Sequence, residues 1–262
     1  MPNFTNQLTE EQLYSTSNPE IIHFYPQNEK QKKPTLKLKV SSALKYLALA
    51  AIALILLNLL VVISYQLGFT FPARDKFYFD REDSLPTYYS AILLLTAAFI
   101  LSLIAVLKKK EKDSFTIHWA VLAIIFLGLS IDEAVSFHEL LIEPLRQKFE
   151  LTGYLRFSWV IAGGLFVVVF GIAYLKFFLA LPPQMKVLFF VSGAIYVLGV
   201  IGFEMIGGSI YQGSTGVRDT SLPYMVVMTI EETLEIVGMS LFIYTLLQYI
   251  KSYTPEFKLS IV

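Results

Sequence analysis

Apolar residues run almost unbroken through six segments of the chain, at roughly 46–68, 87–107, 117–137, 158–181, 186–206 and 222–250. Each approaches or exceeds the ~20 residues that an α-helix needs to cross a bilayer. Polar stretches separate them, so the pattern predicts an all-α polytopic membrane protein with a bundle of six transmembrane helices over residues 45–250. A polar tail, 1–44, precedes the bundle, and a short one, 251–262, follows it. Ser84, with Pro86 two residues on, reads as the start of the second helix, Ser as cap and Pro in the first turn. In the tail, Thr9-Glu10-Glu11-Gln12 fits a capping box, within a segment too polar to hold much fixed structure. Small residues on the fifth segment, Gly193, Gly199, Gly202 and Gly207, allow close helix approach, in the chain itself or in a homo-oligomer or larger membrane complex, and would equally suit an interior lining.

Composition agrees. Apolar residues make up 55% of the 262, and 16% are charged, against ~25% in soluble domains. Mean hydropathy is +0.59. Net charge is zero, which gives no ground for a nucleic-acid partner and leaves the lipid bilayer as the expected one. Cysteine is absent, which excludes disulfides, thiolate metal sites and iron–sulfur clusters. His118 and His138 sit at opposite ends of the third segment, about 30 Å apart by helical rise, and His23 lies in the tail. No haem with two histidine ligands is expected.

Basic residues set the expected orientation. Fourteen of the 21 fall before the first segment, around Lys108–Lys112, at the Pro182-Pro183 turn and in the C-terminal tail; seven fall on the other side, from Arg74 to Arg218. Both termini are therefore expected in the cytoplasm, the protein in the cell membrane, and the first segment a retained anchor. On the outer side, residues 69–86 mix Phe69, Phe71, Phe77, Tyr78 and Phe79 with acids. The aromatics are expected at headgroup level, and the acids lack the spacing of a calcium loop. A glycine-rich loop from Gly207 to Pro223 precedes the last segment.

The anomaly is acidic. Asp132 and Glu133, Glu204, and Glu231, Glu232 and Glu235 lie within three of the apolar segments, which contribute no Lys or Arg beside them. A charge at such depth costs at least ~2.5–3.5 kcal/mol. The orientation, assigned without the acids, places all six in the outer half or at the midplane. At ~100° per residue, Asp132, Ser136, Glu139 and Glu143 form one stripe, with Glu133 on its flank. Glu235 is the four- and three-residue neighbour of Glu231 and Glu232. Carboxylates so close cannot all carry charge without a cation among them. His138 is the one imidazole within reach of this layer.

Enzyme templates fit poorly. The paired Glu-x-x-His of di-iron bundles and the zinc motif His-Glu-x-x-His are missing. Glu231-Glu232 is similar to the Glu-Glu pair of the intramembrane prenyl-protein proteases, but Ile236 stands where that family has Arg, and its later His motifs are absent. The three membrane histidines of the alkaline ceramidase and adiponectin-receptor superfamily cannot be supplied. Phe79-Asp80-Arg81-Glu82 through Pro86-Thr87, Leu129-Ser130-Ile131-Asp132-Glu133-Ala134 to His138-Glu139, and Glu231-Glu232-Thr233-Leu234-Glu235 with Gly238 resemble a group of uncharacterised bacterial multipass membrane proteins, over roughly residues 70–250. That resemblance implies a bacterial membrane setting and no particular chemistry.

Three functions suit these residues. In the first, Asp132, Glu133, His138, Glu204, Glu231, Glu232 and Glu235 bind and release protons or a metal cation during transport. In the second, neutral carboxylic acids join the helices of a structural or accessory subunit. In the third, the same residues hold a catalytic divalent metal, for which carboxylates and one imidazole suit Mn²⁺, Fe²⁺ or Mg²⁺. Of the three, an enzyme is the least expected.

Overall fold

A computed structural model describes residues 35–36, 40–213, 219–253 and 259–260. The tail features at Thr9–Gln12 and His23, and the loop at 214–218, lie outside the described residues. The chain divides into two units. In the smaller, residues 1–36 with 258–262, Thr35–Leu36 (β1) pairs antiparallel with Leu259–Ser260 (β2). The larger, 37–257, is built of helices and carries the rest.

The helices are α1 (Val40–Leu67), α2 (Leu85–Lys110), α3 (Thr116–Val135), a short α4 (Ile142–Phe149), α5 (Trp159–Ala180), α6 (Pro183–Val197), α7 (Glu204–Ile210) and α8 (Leu222–Tyr253). A π-helical stretch, Leu198–Phe203, joins α6 to α7. Five helices are long and apolar enough to cross a membrane: α1, α2, α3, α5 and the continuous Pro183–Ile210. The protein is therefore a membrane protein with a lipid-facing surface. α8 is the longest helix, and its three glutamates break the apolar run that marks the other five.

α8 is the hub. It packs against α1, α2, α6 and the π-helical stretch, while α2 and α3 form the tightest pair. At Gly199 a side chain has no room: a Cβ there would lie 2.9 Å from the Glu231 carbonyl oxygen. At Gly238 a Cβ would lie 2.7 Å from the Tyr196 backbone nitrogen. These glycines let α8 and the α6–α7 rod touch backbone to backbone. Gly193, by contrast, faces open space.

Polar bonds lock the helices where lipid offers no partners. Asn58 of α1, fully buried, donates to Thr229 Oγ1 of α8 at 2.8 Å and accepts from the Phe79 backbone N–H at 3.1 Å. Ser130 of α3 donates to the Ala91 carbonyl of α2 at 2.8 Å. Ser84 caps α2, its Oγ accepting from Thr87 N–H, with Pro86 in the first turn, as the sequence predicts.

Two expectations are corrected. Tyr78 and Phe79 are not on the surface, where a headgroup anchor would lie; each is 1% exposed, packed where Asn58 binds the Phe79 backbone N–H. Nor does the third helix continue to residue 137 or its stripe to Glu143. Ser136 adopts the left-handed region at φ 57°, a 3₁₀ turn covers Phe137–Leu141, and α4 starts afresh. The reason is Asp132, whose carboxylate accepts the His138 backbone N–H at 2.9 Å and so turns the chain back on itself. Glu143 is left on the surface, paired with Arg146 and Gln147.

Candidate functional site

At the end of the bundle where α3 finishes and α5 and α8 begin, side chains from the loop before α2, from α3, α5, α6, α7 and α8 surround a cavity of about 160 Å³. Asp132, Glu133 and His138 reach it from the end of α3, Glu204 from α7, and Glu231, Glu232 and Glu235 from α8. Asp80, Glu82 and Glu139 line it as well. Nine carboxylates and one imidazole thus face one space whose lining contains no Lys or Arg. Asp80, Glu82 and Glu139, outside the seven residues expected at the site, come from the loop before α2 and from the reversed chain after α3. Their signal was the Phe79-Asp80-Arg81-Glu82 phrase and the position of Glu139 on the Asp132 stripe.

Local structure explains each placement. In the loop, Arg81 binds Asp83 at 2.7 Å and Asp75 at 3.2 Å, and Lys76 binds Asp83 at 2.6 Å. The basic residues are thereby held away, and their alternates Asp80 and Glu82 face the cavity. Hydrogen bonds from Arg81 and then Lys76 hold the Asp83 carboxyl well below the usual carboxylate range. Asp80 accepts from the Tyr224 hydroxyl at 2.9 Å, and Glu82 from the Ser136 hydroxyl at 2.6 Å. On the α6–α7 rod, Tyr196, Val200 and Glu204 all line the cavity. The wide π-helical turn between them brings every fourth residue into line, a device often found at functional sites.

The contacts inside are of three kinds. His138 Nδ1 lies 2.9 Å from Asp132 Oδ2, and its ring packs 4.8 Å from that of Trp159. Trp159 Nε1 donates to Glu204 Oε1 at 2.7 Å. Two pairs of carboxyl groups interact across the cavity, Glu204 with Glu231 and Glu82 with Glu139. An ionised carboxylate only accepts, so a hydrogen bond within either pair requires a proton on one member. Burial disfavours the imidazolium of His138, but the hydrogen bond and charge of Asp132 outweigh it and leave its pKa raised. Burial, reinforced by the Glu82 charge, raises that of Glu139.

Capacity remains unused. Glu231 is 8% exposed, yet its Oε2 has no hydrogen-bond partner, and neither has the buried Oε2 of Glu232. A buried acceptor left unmatched costs ~1–3 kcal/mol. Among the described residues, no three Asp, Glu or His side chains stand in position to share one metal ion. A divalent cation would need Glu231, Glu232 or their neighbours to swing inward. Protons need no such movement.

No curated protein and no solved structure matches the chain. A family model does match, over residues 46–249, and it spans every helix and loop that builds the cavity. The chain belongs to that family, described as a domain of unknown function (DUF8692).

Proposed function

We propose that the protein binds and exchanges protons at the carboxylates of this cavity, that a divalent cation competes with protons for the same groups, and that the exchange serves transport across the membrane. In this reading six helices span a bacterial cell membrane, α8 being the sixth, with both termini cytoplasmic and the cavity in the outer half. The observation that carries it is one space lined by nine acids and no Lys or Arg, in which Glu204 is set against Glu231 and Glu82 against Glu139. Such a space is neutral only if it holds protons or a metal cation.

Supporting features follow the charge. His138, held by Asp132, which raises its pKa, is an imidazole at the rim that can pass a proton inward. Glu231 and Glu232 carry the free oxygens that an entering cation would use. The experiment is proton flux into proteoliposomes under an imposed membrane potential. Wild type is expected to acidify the lumen faster than protein-free vesicles, and Glu235→Gln to slow this about tenfold or more. Equal rates for wild type and empty vesicles would favour instead neutral acids that only hold the helices together.

A further inference from the structure

A second, larger cavity adjoins the first. It measures about 530 Å³ and is almost wholly apolar, with Phe126, Phe170, Phe189 and Phe242 among its walls. It lies between two sets of anchors that hold α5. At one end Trp159 bonds Glu204, and Ser158 donates to the Ile142 carbonyl at 2.6 Å. At the other, Tyr174 donates to the His118 carbonyl at 3.1 Å, and Phe177 packs on the Trp119 ring at 4.8 Å. Between these anchors, Val167, Phe170 and Gly171 border the crevice.

The two spaces follow each other along the same helices. On α3 the apolar Leu122 and Phe126 give way to Asp132 and Glu133; on α8, Phe242 and Gly238 give way to Glu235 and Glu231. Tyr196 lines both and stands at their junction. The crevice spans residues 167–178 of α5, about 16 Å by helical rise, which is roughly half the apolar thickness of a bilayer.

We propose that the two cavities form one site for a single-chain amphiphile with a cationic amine head and no phosphate, the head among the carboxylates and the chain in the crevice. The proposal rests on the cation-binding reading of the polar cavity. Charge selects the head. A lining of acids without Lys or Arg offers a phosphate or a carboxylate no counter-charge, whereas an ammonium finds acceptors in the unpartnered Oε2 atoms of Glu231 and Glu232 and aromatic faces in Trp159 and Tyr224. Shape selects the chain. An apolar space of this size lies within the range of sites that bury a small ligand, and it has room for one chain beside Tyr196.

The test uses the full chain in nonionic detergent and four probes: hexadecylamine, hexadecanol, hexadecanoic acid and hexylamine. Hexadecylamine should bind about tenfold or more tightly than the alcohol and the acid, the scale of one charge-assisted hydrogen bond. It should also exceed hexylamine. Gly193 lines the crevice, and a Cβ there meets nothing within 4 Å. Gly193→Phe should therefore fold, remove the advantage of the long chain and leave Mn²⁺ binding intact. Gly171→Leu, whose Cβ is equally free, should do the same from the opposite wall. Glu235→Gln should remove the preference for amine over alcohol. If wild type binds Mn²⁺ but treats the three long probes alike, or the two amines alike, the amphiphile proposal is overturned and the cation reading stands. If it binds neither Mn²⁺ nor amine, both fall.

Discussion

The imidazole Nδ1 of His138 lies 2.9 Å from Asp132 Oδ2, while the backbone N–H of the same histidine donates to Asp132 Oδ1 at 2.9 Å. One carboxylate thus ends α3, reverses the chain and holds a titratable ring at the rim of the acidic cavity. The pair couples structure to pH. The folded-state pKa of His138 lies above its ordinary value of 6.5. Its stabilising contribution is therefore full below that value and is lost as pH rises through the folded pKa. A ¹⁵N-imidazole NMR titration should place His138 above 6.5, and Asp132→Asn should bring it down. His138→Ala should cost about 1–3 kcal/mol at pH 6 and less at pH 9. A histidine titrating below 6.5 in wild type would refute the coupling.

Asn58 joins three parts of the molecule at a point where water does not reach. Asn58→Leu removes the acceptor of the Phe79 N–H and the partner of Thr229. Loss of about 1–3 kcal/mol is expected, read as a lower melting temperature. The loop carrying Asp80 and Glu82 should also become accessible to protease. Unchanged stability and unchanged cleavage would show that the clamp is not what seats the loop.

Much of this site can be read from the sequence, and the limits are instructive. The grouping of Glu231, Glu232 and Glu235 follows from helical phase alone, because α8 is straight enough in pattern for spacing to fix a face. The placement of Asp80 and Glu82 does not, since it depends on Asn58 capturing a backbone N–H 21 residues away. The stripe through Glu143 failed because a single side chain, Asp132, overrides helical continuity at Ser136, a residue with no glycine-like freedom to announce a left-handed turn. The apolar crevice leaves no sequence signal at all. It lies between helices brought together only in the fold, and a lipid-facing aromatic reads the same as one that borders a cavity.

Close packing of α8 on the α6–α7 rod gives a separate test. Gly199→Ala would bring a methyl group to 2.9 Å from the Glu231 carbonyl oxygen and 3.0 Å from Glu235 Cγ. The helices must part, at a cost of about 1–3 kcal/mol, and the glutamates must shift with them. A lower melting temperature together with slower proton flux is expected. A variant as stable as wild type would mean that this contact is looser than described.

Topology is tested by reporter fusions. With α8 as a sixth span, fusions at residue 112 and at the C-terminus should report the cytoplasm, and one at residue 215 the opposite side. The basis is the positive-inside distribution, 14 basic residues against 7. A C-terminus outside the cytoplasm would remove α8 from the membrane-crossing set.

In the proposed function, one cavity holds protons which a cation can displace. The most direct measurement is a titration of the purified protein with Mn²⁺ in weakly buffered solution, with calorimetry and pH recorded together. Saturable binding should release about one or more protons per ion bound, because a carboxyl group must lose its proton to become a ligand. Glu235→Gln, which keeps the shape of the neutral acid, should retain the melting temperature and lose most of both signals. Wild type that binds Mn²⁺ without releasing protons, or shows no saturable binding while Glu235→Gln behaves identically, would contradict proton–cation exchange in this cavity.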